Sequence, residues 1–243
     1  GLAISEGLAE AGASLVMCAR TQATLDEAAA GIREMGAEVL AIPTDLTQMA
    51  QIDRLATLAL ERFGTIDILV NNAGGPPSGT FDALPEEDWR HAVDLTLMSA
   101  VELTRRLLPG MRAQKWGRVI NVTSTSVKQP VNGLMLSNSL RSAVIGWAKT
   151  LANEVGPDQI LINNVCPGHT TTDRLEELAQ AASKRQGLSV AEVYASWEQL
   201  SPLLRLGKPR ELANLVVFLA SDMASYINGT TIPVDGGRQQ AMT

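Results

Sequence analysis

The sequence predicts an α/β fold, an open doubly wound parallel sheet with helices on both faces. Three observations carry this. Short apolar runs alternate with longer runs of helical periodicity, the pattern of repeated βαβ units. Ile66-Asp67-Ile68-Leu69-Val70 is nearly continuous in apolar character, as a strand covered on both faces must be. The links between runs are short and rich in Gly, Pro and small polar residues.

With 243 residues, 45% of them hydrophobic, the chain can bury one substantial core, and one domain spanning 1–243 is expected. A net charge of -6 with no basic block argues against nucleic acid or an anionic membrane as partner. The longest apolar runs are strand-length, so no membrane span is expected. Cys18 and Cys166 are read as small buried apolar residues, unpaired, in a reducing cytoplasm. Only His91 and His169 carry imidazoles, and no Cys/His spacing suggests a metal.

In order, Leu2 to Ala11 reads as a helix ended by Gly12, and Ser14 to Cys18 as a buried strand followed by Arg20. Thr24 to Met35 is an amphipathic helix closed by Gly36. Glu38 to Pro43 is a strand running into Thr44-Asp45-Leu46-Thr47, where Asp45 suits a helix N-cap. Ile52 to Phe63 is the next helix, and strand Ile66 to Val70 runs into Asn71-Asn72-Ala73-Gly74. After the loop Gly75 to Gly79 comes one long helix, Glu86 to Gln114, with a kink expected near Pro109-Gly110.

The chain turns on Arg118 to Val155. A strand, Val119-Ile120-Asn121-Val122, breaks into Thr123-Ser124-Thr125-Ser126, crosses a Pro/Asn/Gly loop and enters a long helix. Leu140, Val144, Trp147 and Leu151 should form its buried stripe. A polar cluster at the carboxyl end of a parallel strand is where open α/β sheets place ligands. Strand Ile160 to Val165 ends in Cys166-Pro167-Gly168-His169-Thr170-Thr171-Thr172. Residues 173–204 allow two helices broken at Gly187-Leu188-Ser189, with Ser189 an N-cap. Tyr194, Trp197 and Leu200 lie there at helical spacing, either a packing stripe or a face toward a ligand. Helix Glu211 to Ala220 and Gly229 to Gly237 close the chain.

Asn71-Asn72-Ala73-Gly74 after a strand, Asn121-Val122-Thr123-Ser124, and Pro167-Gly168 followed by Thr170 resemble, in order, the marks of the classical short-chain dehydrogenase/reductase family. The nearest branch is the 3-oxoacyl-[acyl-carrier-protein] reductases, and the resemblance covers essentially the whole chain. It implies a Rossmann-type fold binding NADP(H), with NAD(H) the lesser candidate. It makes Gly1 the last glycine of a Gly-rich loop. The first strand and the rest of that loop are then expected ahead of this sequence. Arg20 would meet a 2′-phosphate where an acid would favour NAD; a solvated turn Arg is the plain alternative. The resemblance gives Asp45 with Leu46 to the adenine, Asn72, Ala73 and Gly74 to the adenosine ribose, and Pro167, Gly168, Thr170 and Thr172 to the nicotinamide amide and pyrophosphate. Residues 173–204 become a substrate lid. A small carbonyl or alcohol substrate and a homodimer or homotetramer are also implied.

At the chemistry the chain departs from the family. Ser124 inherits the catalytic Ser. The Tyr-x-x-x-Lys positions fall on Ser137 and Arg141, and a helix Asn of the proton relay becomes Asp94. Ser137 is a poor acid and shorter than a phenol. Arg141 can hold ribose hydroxyls, but a pKa above about 12 excludes proton donation. The proton of a reduction would then come from water, Asp94, Lys128, His169 or Tyr194. Two other readings stay open: a dinucleotide-binding protein with little turnover, as sensor or inactive partner, and a lyase or dehydratase on the same fold.

Overall fold

The computed structural model of the chain describes residues 1–240. Its strands are β1 (Leu15–Ala19), β2 (Val39–Pro43), β3 (Ile68–Asn71), β4 (Gly117–Val122), β5 (Ile160–Pro167) and β6 (Thr231–Val234). Its helices are α1 (Leu2–Glu10), α2 (Gln22–Glu34), α3 (Met49–Phe63), α4 (Glu86–Ala92), α5 (Ser99–Gln114), α6 (Met135–Val155), α7 (Asp173–Gln186), α8 (Val190–Gln199) and α9 (Pro209–Ala220).

All strand pairs are parallel. Helices α3, α5 and α6 pack on one face, around Ile52, Leu103, Met111, Val119, Ala152 and Ile162. Helices α1, α2 and α9 pack on the other, around Leu8, Leu25, Ile120, Val165, Val216 and Leu219. Neighbouring β4 residues Val119 and Ile120 belong to opposite cores, as the alternation of a strand requires. The expected doubly wound α/β class is the one observed.

The hydrogen-bonded strands form two groups, β1-β2 and β3-β4-β5-β6. Between the facing edges of β1 and β3 runs a cleft of about 1200 Å³, lined by Val16 and Cys18 on one side and Leu69 and Asn71 on the other. Cys18 is therefore exposed, against the expectation that it is buried, while Cys166 is fully buried; both thiols are free.

Across β3, β4 and β5 the sheet carries a buried polar ladder. Asn71 pairs in register with Asn121, and Asn121 with Asn164. The Asn71 amide donates to Asn121 Oδ1 at 2.9 Å, and the Asn121 amide to Asn164 Oδ1 at 2.9 Å. Asn164 Nδ2 then reaches the Thr231 hydroxyl at 3.2 Å and the Thr230 carbonyl at 3.3 Å. Asn121 and Asn164 both donate and accept, and Asn71 donates, so most of the burial cost of these groups is met side to side.

Two other expectations change. The long helix over 86–114 is divided by a π-helical segment, Val93–Met98, that begins beside Asp94, while α5 continues through Pro109 without a break. The buried stripe of α6 is Leu136, Leu140, Val144, Ala148, Ala152 and Val155. Trp147 and Leu151 lie only at its margin, because alanines let the helix sit close to β5.

Asn121→Ala should strand an Asn71 donor and an Asn164 acceptor in the interior. The expected loss is about 2–3 kcal/mol, read as a lower urea midpoint with an unchanged m-value.

Candidate active site

The site forms where β3, β4 and β5 end. Asn71 closes β3, and Asn72-Ala73 line the cleft with Asn121, Val122, Thr123 and Arg141. Gly1 is brought against Asn72: a Cβ on Gly1 would stand 3.3 Å from its Nδ2. Asn71 Oδ1, at the cleft edge of the ladder, has no hydrogen-bond partner. Leu46 lines the same cleft and packs on the core. Asp45 is not a helix N-cap; its Oδ1 closes a turn by accepting from Thr47 N at 2.9 Å and the Thr47 hydroxyl at 2.8 Å. Those bonds, the backbone one first, hold its carboxyl below the usual range, with Arg20 and His91 adding to the effect. Arg20 is exposed at the end of β1.

Beyond β4, the Ser124 hydroxyl accepts from Ser126 N at 3.1 Å, fixing the short turn Thr125–Val127, and keeps its own proton for a ligand. Thr123 donates to the Val165 carbonyl at 3.1 Å and meets Cys166 Sγ at 3.0 Å, so the thiol is the donor of that pair. Ser137 is part-buried in the first turn of α6. One turn on, Arg141 Nη1 donates to the carbonyls of Val122 at 2.8 Å and Thr123 at 3.1 Å. Burial, followed by the charge of Arg174, brings its guanidinium down to about 10 rather than leaving it above 12. It remains a cation at neutral pH.

The mouth is assembled from loops the sequence left undefined. Gly79 N donates to the Gly133 carbonyl at 2.7 Å, joining the loop after β3 to the loop before α6. Asn138 clamps that second loop, its amide donating to the Val131 carbonyl at 3.0 Å. Arg174, from the first turn of α7, donates to the Pro76 carbonyl at 2.7 Å. A Cβ on Gly75 would lie 2.8 Å from Arg174 Nε, so only glycine lets the arginine lie there. Pro167-Gly168 meets the end of β6 as closely: a Gly168 Cβ would stand 2.8 Å from Asp235 Cα.

The lid is two helices, as expected, with Gly187 in a left-handed conformation and Ser189 capping α8 through Glu192. Of the proposed acids, Tyr194 is committed elsewhere: its hydroxyl donates to Glu176 at 2.6 Å, which raises its pKa. His169 stacks on Trp197 with ring centroids 4.4 Å apart, and burial pushes it down to about 4, so it is neutral at pH 7. Trp197 thus packs on the site's own loop, and Leu200 is exposed. Asp94 is exposed at the π segment, and Lys128 is exposed past Ser124. Thr172 does not offer a free hydroxyl, since it caps α7 by accepting from Leu175 N at 3.3 Å and donates to the Thr170 carbonyl at 3.2 Å. Thr170 bonds only weakly, to the Gly168 carbonyl at 3.4 Å. Among the described residues no group of three or more His, Cys, Asp or Glu could hold a metal, and no helix is long and apolar enough to cross a membrane.

Sequence reasoning missed the asparagine ladder, Asn138 and Arg174. The ladder had a signal, polar residues placed alike inside two apolar strands; the arginine had none.

A parallel sheet whose polar groups gather where β3, β4 and β5 end, a helix N-terminus at Gly1 and an Asn-Asn-Ala-Gly turn define a nucleotide-binding α/β protein. A family profile described as enoyl-(acyl carrier protein) reductase matches residues 1–239, and the chain belongs to that family, within the short-chain dehydrogenase/reductases. It is 34% identical to a 3-oxoacyl-[acyl-carrier-protein] reductase of Synechocystis sp. over 98% of this chain and 91% of the relative. It is 33% identical to dehydrogenase/reductase SDR family member 4 of Oryctolagus cuniculus, over 98% and 88%. Its fold superposes on L-sorbose reductase from Gluconobacter frateurii, solved with NADPH and L-sorbose, with a TM-score of 0.94, 36% identity and coverage of 100% and 93%.

The unfolded chain takes up a proton on His169 below about pH 6.5, and the folded chain only below about 4. Folding stability should therefore climb as pH rises through that window. His169→Gln, neutral throughout, should flatten this part of a urea-unfolding profile measured from pH 4 to 7.

Proposed function

We propose that this protein is an NADP(H)-dependent carbonyl reductase or alcohol dehydrogenase of the 3-oxoacyl-reductase type, working without the family's phenolic acid. The observation that carries the reading is the joint placement of Gly1, Asn72, Ala73, Thr123 and Arg141 around the carboxyl ends of β3 and β4. NADPH fits this donor set. Arg20 is an exposed guanidinium beside Asp45, suited to a 2′-phosphate. The N-terminus of α1 presents unpaired backbone N–H groups toward a pyrophosphate. The orphaned Asn71 Oδ1 awaits a donor. The relatives named as reductases and the neighbour solved with NADPH support the same choice.

When bound, the nicotinamide supplies or accepts the hydride. Ser124 donates a hydrogen bond to the substrate carbonyl. Arg141 holds ribose hydroxyls and places positive charge beside the developing oxyanion. Ser137 leaves the space of the phenol open, and the proton is drawn from water there. The engaged hydroxyl of Tyr194 and the neutrality of His169 favour water over either side chain. We propose too that a further parallel strand lies in the cleft between β1 and β3, where both edges face it. A homodimer or homotetramer in a reducing cytoplasm completes the proposal. The same missing phenol favours, as second reading, a dinucleotide-binding protein with little turnover.

Calorimetric titration of the full chain tests this. NADPH should bind at least tenfold more tightly than NADH, and Arg20→Ala should remove most of that preference while sparing NADH. Binding of neither dinucleotide would sink the oxidoreductase reading. Ser137→Tyr combined with Arg141→Lys should raise the rate of neutral-ketone reduction by the typical general-acid factor of about 10²–10⁴; no gain in a folded, NADPH-binding double variant would overturn the placement of these two residues.

A further inference from the structure

The lid carries a core of its own. Ala179 and Ala182 of α7 are buried together with Val193 of α8, and Val190, Tyr194 and Trp197 pack against them. The Tyr194 hydroxyl on Glu176, at 2.6 Å, ties the two helices to each other. This cluster is separate from the cores on the two faces of the sheet. A helical hairpin with its own core can swing as one body about its two ends. Those ends are anchored. Thr172 caps α7, and Thr171 N beside it donates to the Gly207 carbonyl at 2.9 Å. Past α8, the Ser201 hydroxyl donates to the Gly236 carbonyl at 2.9 Å, and Trp197 stacks on His169. The tip of the hairpin, Gly187-Leu188-Ser189, lies midway between the anchors in the chain.

Two arginines hold this body down. Arg174 and Arg185 are eleven residues apart on α7, about three full turns, so they share one face. Near the anchored end, Arg174 Nη2 donates to the Pro76 carbonyl at 2.7 Å. Its Nε, Nη2 and Cζ lie 2.8, 2.9 and 3.1 Å from where a Gly75 Cβ would be, so the guanidinium covers that glycine. Toward the tip, Arg185 Nη1 comes 2.7 Å from the Cβ position of Gly133, whose φ is +76°. The two glycines belong to loops that border the mouth. Gly79 N, donating to the Gly133 carbonyl at 2.7 Å, joins those loops into one shelf. Glu177, which pairs with Arg174 at 2.9 Å, sits on the same helix and travels with it. Lifting α7 therefore keeps that ion pair and exchanges the Pro76 contact for water, a small net cost at a part-exposed site.

We propose that Arg174 and Arg185 latch the lid onto this shelf, and that ligands enter and leave the site when the two guanidiniums lift from Gly75-Pro76 and Gly133. The latch rests on the geometry of the lid, and its effect on dinucleotide traffic rests on the reductase reading. Both arginines are positioning residues, acting through the placement of α7. Gly75 is part of the device, because a methyl group there would push Arg174 aside without removing its charge. Gly75 is not among the positive-φ glycines, so its backbone accepts alanine.

The test is a distance between nitroxide labels, measured by pulsed electron resonance in the full chain without dinucleotide. The labels are placed at Lys184→Cys on α7 and Thr150→Cys on α6, both exposed positions, in a Cys18→Ala background; Cys166 is fully buried. The intact latch should give one narrow distribution. Gly75→Ala, Arg174→Gln and Arg185→Gln should each add a longer distance, and the two arginine changes together should give it the largest share. Arg174→Lys should add less than Arg174→Gln, since an ammonium can still donate to the Pro76 carbonyl. A control pair, Glu61→Cys with Thr150→Cys, should keep its distance in every variant. Lid distances that match the parent in all variants overturn the latch. A shift of the control pair overturns it too, because it marks general loosening. In stopped-flow release of bound NADPH, the double arginine variant should release several-fold faster, and an unchanged rate with an opened lid overturns the gating role. A chain that binds no dinucleotide counts against the reductase reading alone, and the label distances still decide the latch.

Discussion

The asparagine ladder across β3, β4 and β5 is the constraint on which the site depends. Amides buried in the middle of a sheet cost least when they pair with one another, so the ladder favours the observed register of the three strands. A slip of one residue would break the Asn71–Asn121 and Asn121–Asn164 hydrogen bonds of the observed pairing. The ladder therefore fixes where the three strands end relative to one another. The groups that end those strands, Asn72-Ala73, Thr123-Ser124 and Cys166-Pro167-Gly168, are aligned as a consequence.

Around this fixed edge the second arrangement is electrostatic. Arg141 is held by main-chain carbonyls of the neighbouring strand end rather than by an acid, so its position is set by geometry and its charge stays uncompensated. Arg174 is held through the Pro76 carbonyl and also by Glu177, at 2.9 Å. Both arginines are oriented by backbone carbonyls, and of the two it is Arg141 that has no acid paired with it among the described residues.

Much of the fold was legible because parallel strands covered on both faces must be apolar runs, and the helices between them must carry stripes. Gly36, Gly64 and Ser189 marked their boundaries through positive φ or capping chemistry. The cofactor-side positions were legible for a related reason: they are backbone turns that admit few residue types. The lid arginines, Asn138 and the fate of Tyr194 were not. Their roles depend on which loop lies opposite, and residues such as Arg174 and Pro76, 98 apart in sequence, carry no local sign of meeting. Cys18 was misread because apolar character locates a strand without saying what borders its edge. Thr172 and Asp45 were assigned to a ligand, and each also serves the turn it sits in.

The π segment at Val93–Met98 bears on how this region can vary. A π turn takes up about one residue more than an α turn, which offsets the helical phase on its two sides by roughly 100°. That offset lets α4 turn Ala92 toward Leu136 and Leu140 while α5 turns Leu103, Leu107 and Met111 toward the central core. Deleting a single residue from this segment would merge the two helices and rotate one face out of its core. The interior of a helix, ordinarily tolerant of substitution, is here a place where length itself is under constraint.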